Sequence, residues 1–177
     1  SIVVAATHTH SAPSLMGALG TGVDDEYRRG VAPRIARALV DATRRLSPAR
    51  IGWAAARDPE HTHCRRWILR SDRVRADPFG KPTVRAHMHP GYLNPDFVGP
   101  SGPADDGVSV LGLRALDGRP VALPANYSQH YVGSAPVSAD YFGAFSAKVG
   151  ELLGADASFV GILSQGNVLY IDQVESP

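Results

Sequence analysis

Val108-Ser109-Val110-Leu111-Gly112-Leu113-Arg114-Ala115-Leu116-Asp117-Gly118-Arg119-Pro120-Val121-Ala122-Leu123-Pro124-Ala125-Asn126-Tyr127 is the stretch that decides the fold. Residues 108–116 and 120–127 are apolar runs of strand length. The Asp117-Gly118 pair between them is a strong signal for a tight hairpin turn, because glycine takes the positive φ such turns demand. The second run delivers His130 just past its end.

Working outward, Ser138 can cap a helix whose Tyr141, Phe145, Val149 and Leu152 share one face. Residues 159–163 then read as another buried strand. Upstream, residues 2–6 form a short apolar run ended by polar residues, which predicts a buried strand with His8 and His10 just beyond it. A Gly/Ser/Pro-rich loop follows to residue 23, and Asp24 and Asp25 offer an N-cap. The next helix carries Tyr27, Val31, Ile35, Leu39, Ala42 and Leu46 at intervals of three to four, which predicts one buried stripe. Pro33 should weaken or kink its first turns and move its start later. Residues 50–56 read as a strand with Ile51 and Trp53 on one face. From 57 to 103 the chain is Pro-rich and reads as loop, and so long a stretch without regular structure is usually functional. Strands interleaved with helices predict an α/β class, a mixed sheet with flanking helices, in a single domain over residues 1–177.

Bulk composition narrows the function classes. The 18 Lys and Arg against 17 Asp and Glu leave a formal charge of +1, so nothing calls for a polyanionic partner and nucleic acid is not expected. Arginines gather at Arg65, Arg66, Arg70, Arg73 and Arg75, but without aromatic interleaving they read as a solvated surface or an anion-facing loop. The single Cys64 excludes a disulfide within the chain and leaves the redox compartment open. No apolar run approaches the ~20 residues that span a bilayer, so no transmembrane segment is expected in this chain. Nothing resembles a signal peptide, and an export signal would have to lie upstream of Ser1. Ser1 opens directly on the apolar run and Pro177 follows no capping element, so an incomplete domain is expected.

The histidines carry the chemistry. Six of the seven occur as His8/His10, His61/His63 and His87/His89, with His130 alone. In an extended segment, alternation puts both members of a His-x-His pair on one face, where they can share a metal or divide metal and proton duties. The plainer alternative is a pair of exposed or locally bonded rings, and it holds for His61/His63 and His87/His89, which lie in the Pro-rich region away from any strand end. His61, His63 and Cys64 match no closed structural zinc site. His8/His10 differs, because it follows a buried strand and precedes a small-residue loop, where α/β sheets carry ligands.

At Ala6-Thr7-His8-Thr9-His10-Ser11-Ala12-Pro13 the chain resembles the neutral/alkaline (non-lysosomal) ceramidase family, whose first catalytic segment has Gly where Ala12 stands. A second similar segment runs from Gly118 to Gly133 through His130 and continues as Ser138-Ala139-Asp140-Tyr141-Phe142-Gly143. Asn94-Pro95-Asp96 and Gly102-Pro103 are similar to bacterial relatives, and the resemblance extends in order from Ile2 to about Gly166.

The resemblance implies part of a ceramidase-like catalytic domain and a hydrolase of sphingolipid metabolism: a zinc-dependent amidase that cleaves the N-acyl bond of ceramide or a related N-acyl lipid. It implies His8 and His130 as zinc ligands, His10 as a catalytic residue that supports a ligand from behind or handles protons, and Arg65 as the catalytic cation that steadies a developing oxyanion. The alternative reading of Arg65 is a surface arginine. Two rival functions stand beside this one, a non-catalytic or degenerate homologue that binds lipid or metal, and a metal-dependent esterase on the same scaffold. The departures are specific. Where the family continues into a Gly-Asp signature, this chain reads Asn167-Val168-Leu169-Tyr170, and Asp172 and Ser176 do not restore its spacing. The family's Glu and Tyr ligands come from a later segment with no equivalent here, and two ligands alone make a weak site. The oligomeric state, the cell compartment and the true substrate are not legible.

Overall fold

The computed structural model describes residues 2, 4, 6, 8–18, 20–131 and 137–169, with side chains of 165–169 excepted. In chain order it contains α1 (Asp25–Arg44), β1 (Ala49–Arg57), β2 (Arg66–Leu69), a 3-10 turn (Ser71–Arg73), β3 (Ala86–Met88), β4 (Phe97–Pro100), β5 (Gly107–Ala115), β6 (Pro120–Gln129), α2 (Asp140–Leu153) and β7 (Val160–Leu169). A four-stranded sheet has the order β1-β5-β6-β7, and a three-stranded sheet the order β3-β2-β4.

The larger sheet is mixed, as the α/β reading expects. β1 pairs antiparallel with β5 and β5 antiparallel with β6, while β6 and β7 run parallel. A parallel pair needs a crossover, and α2 supplies it. The hairpin closes where the Asp117-Gly118 pair predicts. Gly118 has φ 92°, its amide donates to Ala115 O at 3.0 Å, and Asp117 Oδ1 accepts from the Arg119 amide at 2.9 Å.

The core lies between α2 and this sheet. Ala125, Tyr127 and Leu163 are its buried apolar residues, and Val108, Val110, Tyr141, Phe142 and Phe145 pack against them. The register pairs Val108 with Tyr127, Val110 with Ala125 and Ala125 with Leu163, so strand alternation puts all of them on one face. α2 approaches β7 closely at Gly161, where a Cβ would stand 2.8 Å from Ser146 Oγ and 3.0 Å from Ser146 Cα. The expected inward face of α2 holds at Tyr141, Phe145 and Val149. It ends on half-buried Leu153 instead of Leu152, which is 72% exposed. The N-terminal cap differs from the one expected: the N-cap is Ala139, which makes no side-chain cap bond, and Ser138, one residue earlier, accepts from the Asp140 amide through Oγ at 3.0 Å.

Four local expectations need correction. Pro33 neither delays nor ends α1, which starts at Asp25; Asp24 caps it by accepting from the Tyr27 amide at 2.9 Å, and Asp25 and Glu26 complement the first turn. The apolar stripe of α1 is not buried, and no residue of the helix is. Of the segment 2–6, Val3 and Ala5 lie outside the described residues, while Ile2, Val4 and Ala6 are exposed and join neither sheet. Finally, the supposed loop 57–103 contains the three-stranded sheet, whose strands of three and four residues are too short for alternation to show. Among the described residues no helix is long and apolar enough to cross a membrane.

Candidate metal centre

β6 runs into His130, and the positions around this strand end are tied down one by one. The Tyr127 hydroxyl donates to Asp58 Oδ2 at 3.0 Å, and Ser128, fully buried, donates to Asp105 Oδ2 at 2.7 Å. Gln129 Nε2 donates to the His61 carbonyl at 3.2 Å, while its own carbonyl accepts from the Tyr141 hydroxyl at 2.6 Å. Burial lifts the Tyr141 phenol to about 12, so it remains a donor at neutral pH. His130 itself is 7% exposed.

Two further rings meet it. His8 Nε2 lies 3.1 Å from His130 Nε2, and His10 Nε2 lies 3.0 Å from His8 Nε2. The three ring centroids are 4.7 to 4.9 Å apart, with edge-on geometry throughout. His8 and His10 converge by a different route from the expected extended alternation, since His8 has a left-handed backbone with φ 61°. Such a conformation is uncommon outside glycine and clusters at functional sites. Tyr131 completes the wall, stacked on His130 at 5.2 Å and edge-on to His10 at 4.6 Å.

Among the described residues, His8, His10 and His130 are the one group of three or more candidate ligands that could hold a metal ion. The donor set fits zinc in chemistry and in spacing. Nitrogens each ~2.0–2.1 Å from a tetrahedral ion stand ~3.3 Å apart, close to the separations seen here. His130 Nδ1–H donates to the Tyr131 carbonyl at 2.6 Å, which leaves the Nε2 lone pair directed at His8. Burial, then the neighbouring His10, His130 and Arg65 charges, lower the His8 imidazole below 6.5. Burial and then His130 lower His10 likewise. Neutral rings at pH 7 are the form that ligates metal.

Arg65 is near enough for its charge to act on His8, and its Nε is buried without a hydrogen-bond partner among the described residues. The remaining His-x-His pairs are elsewhere engaged. His61 Nδ1 donates to Asp58 Oδ1 at 2.8 Å, and His87 Nδ1 donates to the Met88 carbonyl at 2.6 Å. Sequence reasoning missed Asp58, Asp105 and Tyr131. Tyr131 stands beside His130 in the chain and could have been flagged; Asp58 meets Tyr127 across 69 residues, with no local signal. Tyr170, Asp172 and Ser176 lie outside the described residues.

No protein-family model matches the chain, and no curated protein does. Among solved structures it is similar to neutral ceramidase from Pseudomonas aeruginosa, at 16% identity and TM-score 0.51 over 88% of this chain. It is also similar to a ceramidase complexed with C2, at 18% identity and TM-score 0.56 over 94% of this chain. The chain spans about a quarter of each of those chains, 23% and 24%. At such identity the likeness shows a ceramidase-like fold.

Proposed function

We propose that this chain is part of the catalytic domain of a zinc-dependent amide hydrolase that cleaves the N-acyl bond of ceramide or a related N-acyl sphingoid lipid. The observation that carries the proposal is the convergence of the His8, His10 and His130 ring nitrogens.

His8 and His130 would hold the ion, His130 with its tautomer set by the Tyr131 carbonyl. A zinc ion there supplies Lewis-acid chemistry, polarising an acyl carbonyl and acidifying water. His10, whose imidazole partial desolvation and then His130 hold below 6.5, can take a proton from the attacking water and give it to the leaving amine. Arg65 places a fixed positive charge beside the reacting carbonyl, where the tetrahedral oxyanion develops. The likeness in fold to ceramidases supports the lipid amide as substrate.

Metal analysis and hydrolysis assays on the full-length protein test this. We expect one zinc per chain, lost in the His8→Ala, His130→Ala double variant, and chelator-sensitive release of fatty acid from an N-acyl sphingoid substrate. His10→Ala should keep the zinc and lose turnover. Zinc retained in the double variant would reject the ligand assignment, and chelator-sensitive cleavage of simple esters alone would make the protein an esterase.

A further inference from the structure

The loop 58–65 brings the Arg65 charge within range of His8, and its first residue is clasped to the strand that leads into His130. The Asp58 carboxylate takes two donors, the Tyr127 hydroxyl at 3.0 Å on Oδ2 and His61 Nδ1 at 2.8 Å on Oδ1. The loop is thereby held to β6 at one end, while the Arg65 carbonyl accepts from the His89 amide at 3.0 Å at the other. Between them, Thr62 Oγ1, 3% exposed as a residue, returns a hydrogen bond to the Asp58 carbonyl at 3.0 Å. The Arg65 Nε has no hydrogen-bond partner among the described residues.

We infer that Asp58 is a positioning residue, which through the Tyr127 hydroxyl locks the Arg65-bearing loop onto the His130-bearing strand and so sets the arginine against the reacting carbonyl. The inference rests on the hydrolase reading above and goes beyond it by naming a residue that touches neither substrate nor metal. Because Asp58 acts through Arg65, loosening the clasp lowers turnover while leaving zinc binding in place. Misplacement of a catalytic group by about 1 Å can lower a rate by roughly 100-fold.

The test uses the full-length protein and an N-acyl sphingoid substrate, with Tyr127→Phe, which removes one oxygen, beside Asp58→Asn. Both variants should keep stoichiometric zinc and near-wild-type Tm, lose roughly 10- to 100-fold in kcat and change little in KM. In an Arg65→Ala background, Tyr127→Phe should cause no further loss. Hydrogen exchange at the amides of 58–65 should speed up in Tyr127→Phe, a readout independent of turnover. Full kcat in Tyr127→Phe, or an undiminished loss in the Arg65→Ala background, would overturn the inference. If Arg65→Ala itself keeps wild-type kcat, the hydrolase reading fails at that residue, and the clasp is judged by exchange alone: faster exchange upholds it and unchanged exchange overturns it.

Discussion

α2 and α1 carry the same kind of pattern, apolar side chains at helical spacing, and end in opposite conditions. α2 lays Tyr141, Phe142 and Phe145 on Ala125, Tyr127 and Leu163, and the strand it presses on leads into His130. α1 half-buries only Tyr27 and Val31 of its stripe and packs on no core cluster among the described residues, and β1 is exposed along its whole length, with Trp53 at 81% and Ile51 at 62%. Periodicity states that a face is suited to burial; a facing surface decides whether it is buried. In α2 the cover comes from a parallel strand pair that the helix itself connects.

The widest gap should appear on truncating one large residue in each region. Leu163→Ala should destabilise the protein by about 2–5 kcal/mol, the range for deleting a buried leucine, whereas Trp53→Ala should stay within about 0.5 kcal/mol. Urea denaturation measures both. A loss above about 2 kcal/mol for Trp53→Ala would show that this face is covered in the protein under test.

Adding a methyl group is the converse probe. Gly161→Ala drives a Cβ to 2.8 Å from Ser146 Oγ and should lower stability by about 1–3 kcal/mol, the usual penalty for overpacking. Gly52→Ala in β1 meets nothing within 4 Å and should be close to neutral. Equal effects at the two glycines would erase the contrast between the regions.

The smallest effect concerns pH and the link between Asp58 and His61. The hydrogen bond and charge of Asp58 raise the His61 imidazole above 6.5, so that contribution is complete below 6.5 and disappears as pH rises through the raised folded value. Burial alone would raise the Asp58 carboxyl, but hydrogen bonds from His61 and Tyr127 outweigh it and hold it below 3.8. Its contribution is complete above 3.8 and falls away as pH drops through the lower folded value. The Tm difference between the wild type and His61→Ala should therefore be largest between those two values and shrink above them. A difference that grows at alkaline pH would contradict the pairing.

Legibility in the sequence followed the range of the interactions. The β5–β6 hairpin and α2 were readable because their signals are local, a turn dipeptide and a helical period. The small β3-β2-β4 sheet was not, because three or four residues cannot display a period and its pairing joins segments some twenty to thirty residues apart. His8 and His10 stood out at the end of an apolar run and His130 at the end of a strand, and the structure brings their rings together. How they meet was hidden, since the left-handed backbone of His8 replaces the extended geometry assumed for the pair. Asp58 and Asp105 were invisible because their partners, Tyr127 and Ser128, lie 69 and 23 residues away.

X-ray absorption at the zinc edge on the full-length protein would test the histidine centre most directly. Stoichiometric zinc with imidazole nitrogens at ~2.0–2.1 Å, reduced in number by His130→Ala, is the expected result. A zinc-free protein, or a spectrum unchanged when His8 and His130 are replaced, would contradict it.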